Sequence, residues 1–292
     1  MPRATPPQRP LVTNDDGIAS PGLALLARTA RAVFGDALVV APDRERSATS
    51  HALSLHRPLR CHEVPDAEGP SWAIDGTPVD CVLVGLGHLA NPDREPERPP
   101  VELVLSGVNR GPNLGFDCYY SGTVAAAREG QIKGRAAVAL SLAGETEGAF
   151  DFDAIEPAVH ALLVAIRDAG GPGPGELWNV NLPAPAPRAA GDVAQPSWAG
   201  VPGLRGVQVT RLGRRTYRDA VLVREDPRGK PYAWIGGPLD FTEMTPGTDG
   251  RAVRDGFVSV TPLQLDNTAP GGDRLDAWRR SLPAELSPPP QG

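Results

Sequence analysis

The sequence predicts an α/β protein with a mostly parallel sheet core and a C-terminal antiparallel β-hairpin extension. Three observations predict it. Short apolar runs alternate with helical patterns as far as residue 183, the rhythm of strand–helix–strand units. The apolar runs at Leu11, at Ala37 and at Val101 each end in a polar cluster. Beyond residue 206 the β patterns follow one another with no helix between them, which reads as antiparallel. The expected organisation is a core over 1–183, a β extension for oligomerisation over 184–265, and a helix with a disordered tail over 266–292.

The first run, Leu11-Val12-Thr13, leads into Asn14-Asp15-Asp16-Gly17 and then a helix. Ser20 can cap that helix, Pro21 suits its first position, and Leu23, Leu26, Ala27, Ala30, Val33 and Phe34 recur at helical spacing. Ala37 to Ala41 is a second strand, which runs into Pro42-Asp43-Arg44-Glu45-Arg46-Ser47. Residues 52 to 75 read as a hairpin-like excursion. Thr77, Pro78 and Asp80 then form a capping box, with Asp in place of Glu, for a helix reaching about Leu89. Val101 to Leu105 is a third strand, ending in Ser106 to Gly115. A helix begins near Ser121-Gly122-Thr123 and carries Val124 to Ile132. Ala136 to Leu142 is a strand, Phe152 to Ala169 a helix and Trp178 to Pro183 a core strand. The extension carries β patterns at Val207 to Leu212, Tyr217 to Val223, Tyr232 to Ile235 and Phe257 to Leu263, with a turn at Pro227-Arg228-Gly229. Asp273 to Leu282 reads as an amphipathic helix, and the Pro-rich tail after Ser287 as disordered.

Composition narrows the function. A chain of 292 residues can bury roughly 75% of its unfolded surface, and 40% apolar content is that of an ordinary globular protein. The net charge of -6 argues against nucleic acid as the main partner, because a polyphosphate backbone favours a basic surface. Three cysteines, Cys61, Cys81 and Cys118, without a close pair indicate neither a disulfide framework nor a zinc knuckle, which fits a reducing cytoplasm. No apolar run is long enough to span a bilayer, and the proline-rich N-terminus lacks the apolar core of a signal peptide.

In a parallel sheet the three polar clusters share one edge, so Asp15, Asp16, Ser47 and Asn109 can converge. Two adjacent acids at a strand end are costly unless a cation neutralises them, and a divalent metal is the simplest such partner. The plainer reading is a turn, since Asp-Gly is a common turn dipeptide. An all-oxygen donor set suits Mg²⁺ or Mn²⁺ better than zinc and leaves positions for water and phosphate. Gly107, Gly111 and Gly115 let backbone approach a ligand. The helix start at Ser121-Gly122-Thr123 favours an anion, although the same residues can simply cap a helix. The glycine spacing is not that of a dinucleotide fold, and there is no Gly-Lys-Ser/Thr of a Walker A loop.

Together these stretches resemble the SurE family, the stationary-phase survival nucleotidases. The residues that carry the resemblance are Asn14 to Gly17, Ala41 to Ser47, Gly76 to Val82, Ser106 to Gly115 and Tyr120 to Ala127. Asn179 to Pro183, Pro246 to Asp249 and Val258 to Leu263 add to it. The resemblance implies a Rossmann-like core and a β-hairpin arm exchanged between subunits of a homodimer or homotetramer. It implies a phosphatase acting on nucleoside 5′- and 3′-monophosphates, in some members also on polyphosphate, with one divalent cation per subunit held by Asp15, Asp16, Ser47 and Asn109. Asp15 or Asp16 would guide the attacking water. Asn14, Asn109, Asn113, Ser121, Gly122 and Thr123 are the candidates for phosphate contact. Two positions depart from the family pattern: Ala48 stands where glycine is common, and His51 where asparagine is frequent. Both adjoin the expected metal and could alter loop ordering or base preference.

Two rival readings differ in class. A non-catalytic sensor of metal-nucleotide would use the same residues without turnover. A serine hydrolase is disfavoured, because no Gly-x-Ser-x-Gly elbow occurs and His51, His56, His62, His88 and His160 form no pattern. His88 and His160 read as helix residues. The five tryptophans are scattered and read as packing or subunit contact.

Overall fold

The structure is a computed structural model and describes residues 9–65, 69–93, 96–144, 150–185, 196–217, 221–235, 239–268, 278 and 280–281. Fifteen strands and five α-helices alternate among these residues. Six strands lie parallel in one sheet: β4 (Ser71–Ile74), β2 (Leu38–Pro42), β1 (Pro10–Thr13), β5 (Leu103–Arg110), β6 (Ala136–Ala143) and β7 (Glu176–Pro183), in that spatial order. β3 (Cys61–Val64) runs antiparallel along one edge. At the other edge β15 (Phe257–Gln264) runs antiparallel to β7, and β10 (Gly206–Val209) runs parallel to β15.

Side chains of the central strands alternate between two cores. Val12, Val39, Leu105 and Leu140 face α1 (Pro21–Phe34) and α4 (Glu156–Ala169). Leu11, Val40, Val104 and Ala139 face α2 (Pro78–Val84) and α3 (Gly122–Ile132). Burial on both faces explains why these strands are continuously apolar rather than alternating. The expected α/β class and mostly parallel sheet are therefore present.

Local chemistry fixes the helix ends. Thr77 and Asp80 form the expected capping box: the Asp80 amide donates to Thr77 Oγ1 at 3.1 Å and the Thr77 amide to Asp80 Oδ2 at 2.9 Å. The helix does not reach Leu89 as an α-helix, because Gly85–Leu89 winds as a π turn. Ser20 occupies the cap position of α1 without a side-chain cap bond. Ser121 does cap α3, accepting from the Val124 amide at 3.1 Å. α4 starts at Glu156, after a 3-10 turn over Asp153–Ile155, rather than at Phe152.

The expected hairpin-like excursion over 52–75 is a single strand pair. β4 joins the main sheet, β3 pairs with it, and 52–60 is irregular. The core sheet also continues past residue 183. Val207 and Val258, which the sequence places in the extension, belong to β10 and β15 of the main sheet and pair in parallel. A short helix, α5 (Asp249–Arg254), precedes β15 where no helix was expected. β8 (Ser197–Trp198) and β9 (Val201–Pro202) pair with each other. What remains of the extension is two antiparallel pairs. β11 (Arg214–Tyr217) pairs with β14 (Leu239–Glu243), and β12 (Val221–Glu225) with β13 (Pro231–Ile235). The turn between the last two forms where Pro-Arg-Gly predicts it: Asp226 Oδ1 accepts from the Arg228 and Lys230 amides at 2.8 and 2.9 Å. The helix expected over 273–282 lies almost wholly outside the described residues, and the tail after Ser287 entirely so.

Candidate active site

β1 sits between β2 and β5, so the chain leaves it in one direction towards β2 and β4, while β5 to β7 build outward on its other side. Loops diverge at such a switch point and open a crevice beyond the carboxyl ends of the strands. A cleft of about 490 Å³ lies there, lined by Asp15, Asp16, Glu45, Ser47, Asn109, Arg110, Asn113, Asp117 and Ser121, with Tyr120, Phe150 and Phe152 on its walls. The three strand-end clusters thus meet in one place.

Asp15 is 5% exposed. Burial pushes its carboxyl above the usual range, against the pull of hydrogen bonds from Thr123. Thr123 Oγ1 donates to Asp15 Oδ1 at 2.5 Å. Gly122 makes that approach possible, since a Cβ there would stand 2.9 Å from both Cβ and Oδ2 of Asp15. The start of α3 is therefore already turned on Asp15, and Thr123 is spent on that carboxylate rather than open to a phosphate.

Asp16 is pushed up to about 6, first by burial and then by the charge of Asp15, while the Arg110 amide pulls the other way. That amide donates to Asp16 Oδ2 at 3.1 Å. Both neighbouring carboxyls resist ionisation, and a cation placed beside them would favour their charged forms.

Asn14 takes a different part from the one expected. It is fully buried; its Nδ2 donates to the Gly17 carbonyl at 3.0 Å, and its Oδ1 accepts from the Gly17 amide at 3.2 Å. It locks the turn that aims the two acids and does not line the cleft. Asn113 is also committed within the protein. Its amide donates to Asn181 Oδ1 and its Nδ2 to Ser141 Oγ, both at 2.8 Å, although the residue borders the cleft.

Ser47 and Asn109 keep oxygen available. Ser47 Oγ donates its proton to Glu45 Oε1 at 2.6 Å, which leaves the oxygen lone pairs to accept. Asn109 Nδ2 donates to the Gly111 carbonyl at 2.8 Å, leaving its side-chain carbonyl as the donor atom for a cation. Asn109 lies within β5 and not in a loop beyond it. The strand continues through Arg110 with a register shift between Ser106 and Asn109, because Gly107 (φ 136°) passes where a Cβ would stand 2.2 Å from the Leu140 carbonyl oxygen.

Several lining residues were not singled out from the sequence. Glu45 and Arg110 sit inside the motifs that carry Ser47 and Asn109, so position alone was their signal. Asp117, paired with Arg215 at 2.8 Å, and Phe150 and Phe152, from the segment before α4, carried none. Arg110 rests over the Phe150 ring at 5.4 Å, which holds its guanidinium beside the cleft. None of the tryptophans lines the cleft. Among the described residues no group of three His, Cys, Asp or Glu side chains could hold a metal. The candidate set is two carboxylates, a hydroxyl and an amide.

The profile of the family described as Survival protein SurE matches residues 10–219, most of the chain. The chain belongs to the SurE family. A relative from Chloroflexus aggregans, named 5′-nucleotidase SurE, is 45% identical over 260 residues, covering 89% of this chain and 94% of the relative. One from Geobacter metallireducens with the same name is 46% identical over 259 residues, covering 88% and 92%. The 5′-nucleotidase SurE 1 of Thermus thermophilus is 44% identical over 267 residues, covering 90% and 94%. The solved SurE protein from Aquifex aeolicus superposes with a TM-score of 0.72 at 34% identity, covering 93% of this chain and 99% of that one. The SurE fold thus extends over nearly the whole chain, including the strands beyond residue 183.

Proposed function

We propose that this SurE chain is a divalent-metal-dependent phosphatase that hydrolyses nucleoside 5′- and 3′-monophosphates to nucleoside and phosphate, and also trims short polyphosphate. The relatives named 5′-nucleotidase support the reaction class, a phosphoric monoester hydrolysis. One observation carries the reading: Asp15 and Asp16, both hard to ionise, share a cleft with the oxygens of Ser47 and Asn109. This donor set fits Mg²⁺ or Mn²⁺, which favour oxygen and keep part of their shell for other ligands. Asp15, Asp16, Ser47 and Asn109 would hold one such ion per subunit. When bound, it supplies positive charge at a phosphate oxygen and favours loss of a proton from the attacking water.

The chain's own residues do the rest. Thr123 holds Asp15 in one orientation. Asp16 has Oδ2 pinned by the Arg110 amide, so Oδ1 is left to accept from the attacking water and orient it. Asn109, Ser121 and the amide of Gly122 are the groups we assign to the phosphate oxygens, and Arg110 adds positive charge on the same wall. Asn14 and Asn113 support the site through the turn and strand they fix. Tyr120, Phe150 and Phe152 give the nucleoside an apolar wall.

We further propose that β11 to β14 dock on a second copy, giving a homodimer or homotetramer. Val221, Leu222, Val223 and Trp234 are 62%, 49%, 64% and 63% exposed in the single chain, an apolar surface of the kind that marks an interface. We place the protein in the cytoplasm, as its cysteine usage suggests; no described helix is long and apolar enough to cross a membrane. Purified protein given AMP and Mn²⁺ should release inorganic phosphate, and a chelator should stop it. Binding of AMP with Mn²⁺ but no phosphate would mean a sensor instead.

A further inference from the structure

The loop between β2 and β3 carries Ser47 into the cleft, and its backbone is held in an unfavourable shape. Ala48 and Ser50 adopt φ values of 56° and 52°, a left-handed conformation that L side chains adopt at a cost. Such a loop keeps its shape only if its surroundings impose it. Three attachments are directed to backbone carbonyls: the Arg46 amide donates to Asp15 at 2.7 Å, the Ser50 amide to Tyr120 at 3.1 Å, and Ser50 Oγ to Tyr119 at 2.7 Å. Another is a side-chain contact deep against α3, where His51 Nε2 lies 2.9 Å from Glu129 Oε2.

Glu129 is 5% exposed. A carboxylate so enclosed needs a partner. Lys133 stands at 3.5 Å from the other oxygen, one helical turn along and half-exposed; His51 is the partner that comes from another element. Because a carboxylate only accepts, the contact puts the ring proton on Nε2. Glu129 lies on the same helix whose first turn, through Thr123, holds Asp15. The contact therefore ties the loop bearing Ser47 to the helix that orients Asp15.

We propose that His51 is a positioning residue: anchored by the buried Glu129, it holds the left-handed loop in place so that Ser47 meets Asp15, Asp16 and Asn109 in one donor set. This rests on the reading of those four residues as the holders of a divalent ion. His51 does not line the cleft, so its effect is on the geometry of the donor set rather than on the phosphoester.

The test uses the full chain, wild type and as His51→Ala, His51→Gln and Lys133→Ala. The first readout needs no metal: amide hydrogen exchange over residues 46–51 in the chelated protein, where the Ser50 amide reports its bond to Tyr120. The second is Mn²⁺ affinity by electron paramagnetic resonance, with phosphate release measured at saturating Mn²⁺. His51→Ala should exchange faster over the loop and bind Mn²⁺ about tenfold more weakly, as loss of a group supporting a metal ligand does. Its turnover at saturating Mn²⁺ should stay within about twofold. His51→Gln, which can still donate to Glu129, should recover most of both readouts, and Lys133→Ala should leave both unchanged. Unchanged loop exchange in His51→Ala overturns the tether, whatever the metal does. Faster exchange with unchanged Mn²⁺ affinity overturns the link to the donor set. Wild-type protein that binds no Mn²⁺ brings down the functional reading, and with it this link, while the exchange data still judge the tether.

Discussion

The sheet at β1 and the arm at β12 and β13 use similar residues to opposite ends. Leu11, Val12, Val104 and Leu105 are fully buried, whereas Val221, Leu222 and Val223 are each about half-exposed or more. In the sheet, helices cover both faces and the chain supplies its own core. In the arm three successive apolar residues are open, so among the described residues neither face of the hairpin is covered, and a two-stranded hairpin on its own is marginally stable. The polar groups differ in the same way. Asp15, Asn14 and Asn113 are enclosed and each has a defined partner, while the Asp226 turn faces solvent. Precise placement belongs to the sheet end, and the association we propose belongs to the arm.

The contrast can be broken by substitution. Asp15→Asn should lower phosphate release from AMP with Mn²⁺ by about 10³-fold or more, since it removes charge from the centre of the donor set; retention of most of the rate would end the assignment. Leu105→Ala should cost about 3 kcal/mol in urea unfolding. The same change at Leu222 should cost under about 0.5 kcal/mol in dilute protein and appear instead as weaker association in sedimentation. Equal costs at the two positions would remove the distinction. Gly122→Ala should push on Asp15 and reduce kcat by about 100-fold, the scale of a 1 Å misplacement, with little change in sedimentation.

The smallest effect tests the acids through pH. Asp16 holds its proton more tightly folded, at about 6, than at its ordinary 3.8. The stability this contributes to metal-free protein is complete below about pH 4 and is lost as pH rises through about 6. Asp16→Asn should escape that loss, so at pH 8 the metal-free variant should be more stable than wild type by about 1–2 kcal/mol, allowing for solvent screening. It should also be less active. A melting curve that ranked the two the other way would contradict the electrostatic account of the site.

The central strands were legible because enclosure on two faces leaves an unbroken apolar run, as at Leu38 to Ala41. The capping box at Thr77 and Asp80 was legible because it is local. The convergence of Asp15, Asp16, Ser47 and Asn109 followed from strand direction alone. What escaped the sequence depends on distant partners. That Thr123 serves Asp15 108 residues away is a matter of packing. The parallel pairing of β10 with β15 depends on α5 and the arm between them, and alternation does not reveal strand direction. Phe150 and Phe152 reach the cleft from a segment with no motif of its own.

The position of β15 bears on how the molecule is made. The strand that covers β7 is the last to leave the ribosome among those described, and the whole arm is synthesised before it. Until then β7 presents an open hydrogen-bonding edge, a template for any stray strand. Nascent chains interrupted before residue 257 would emerge with their catalytic end shaped but their flank unsealed, and would depend on chaperones to stay dispersed.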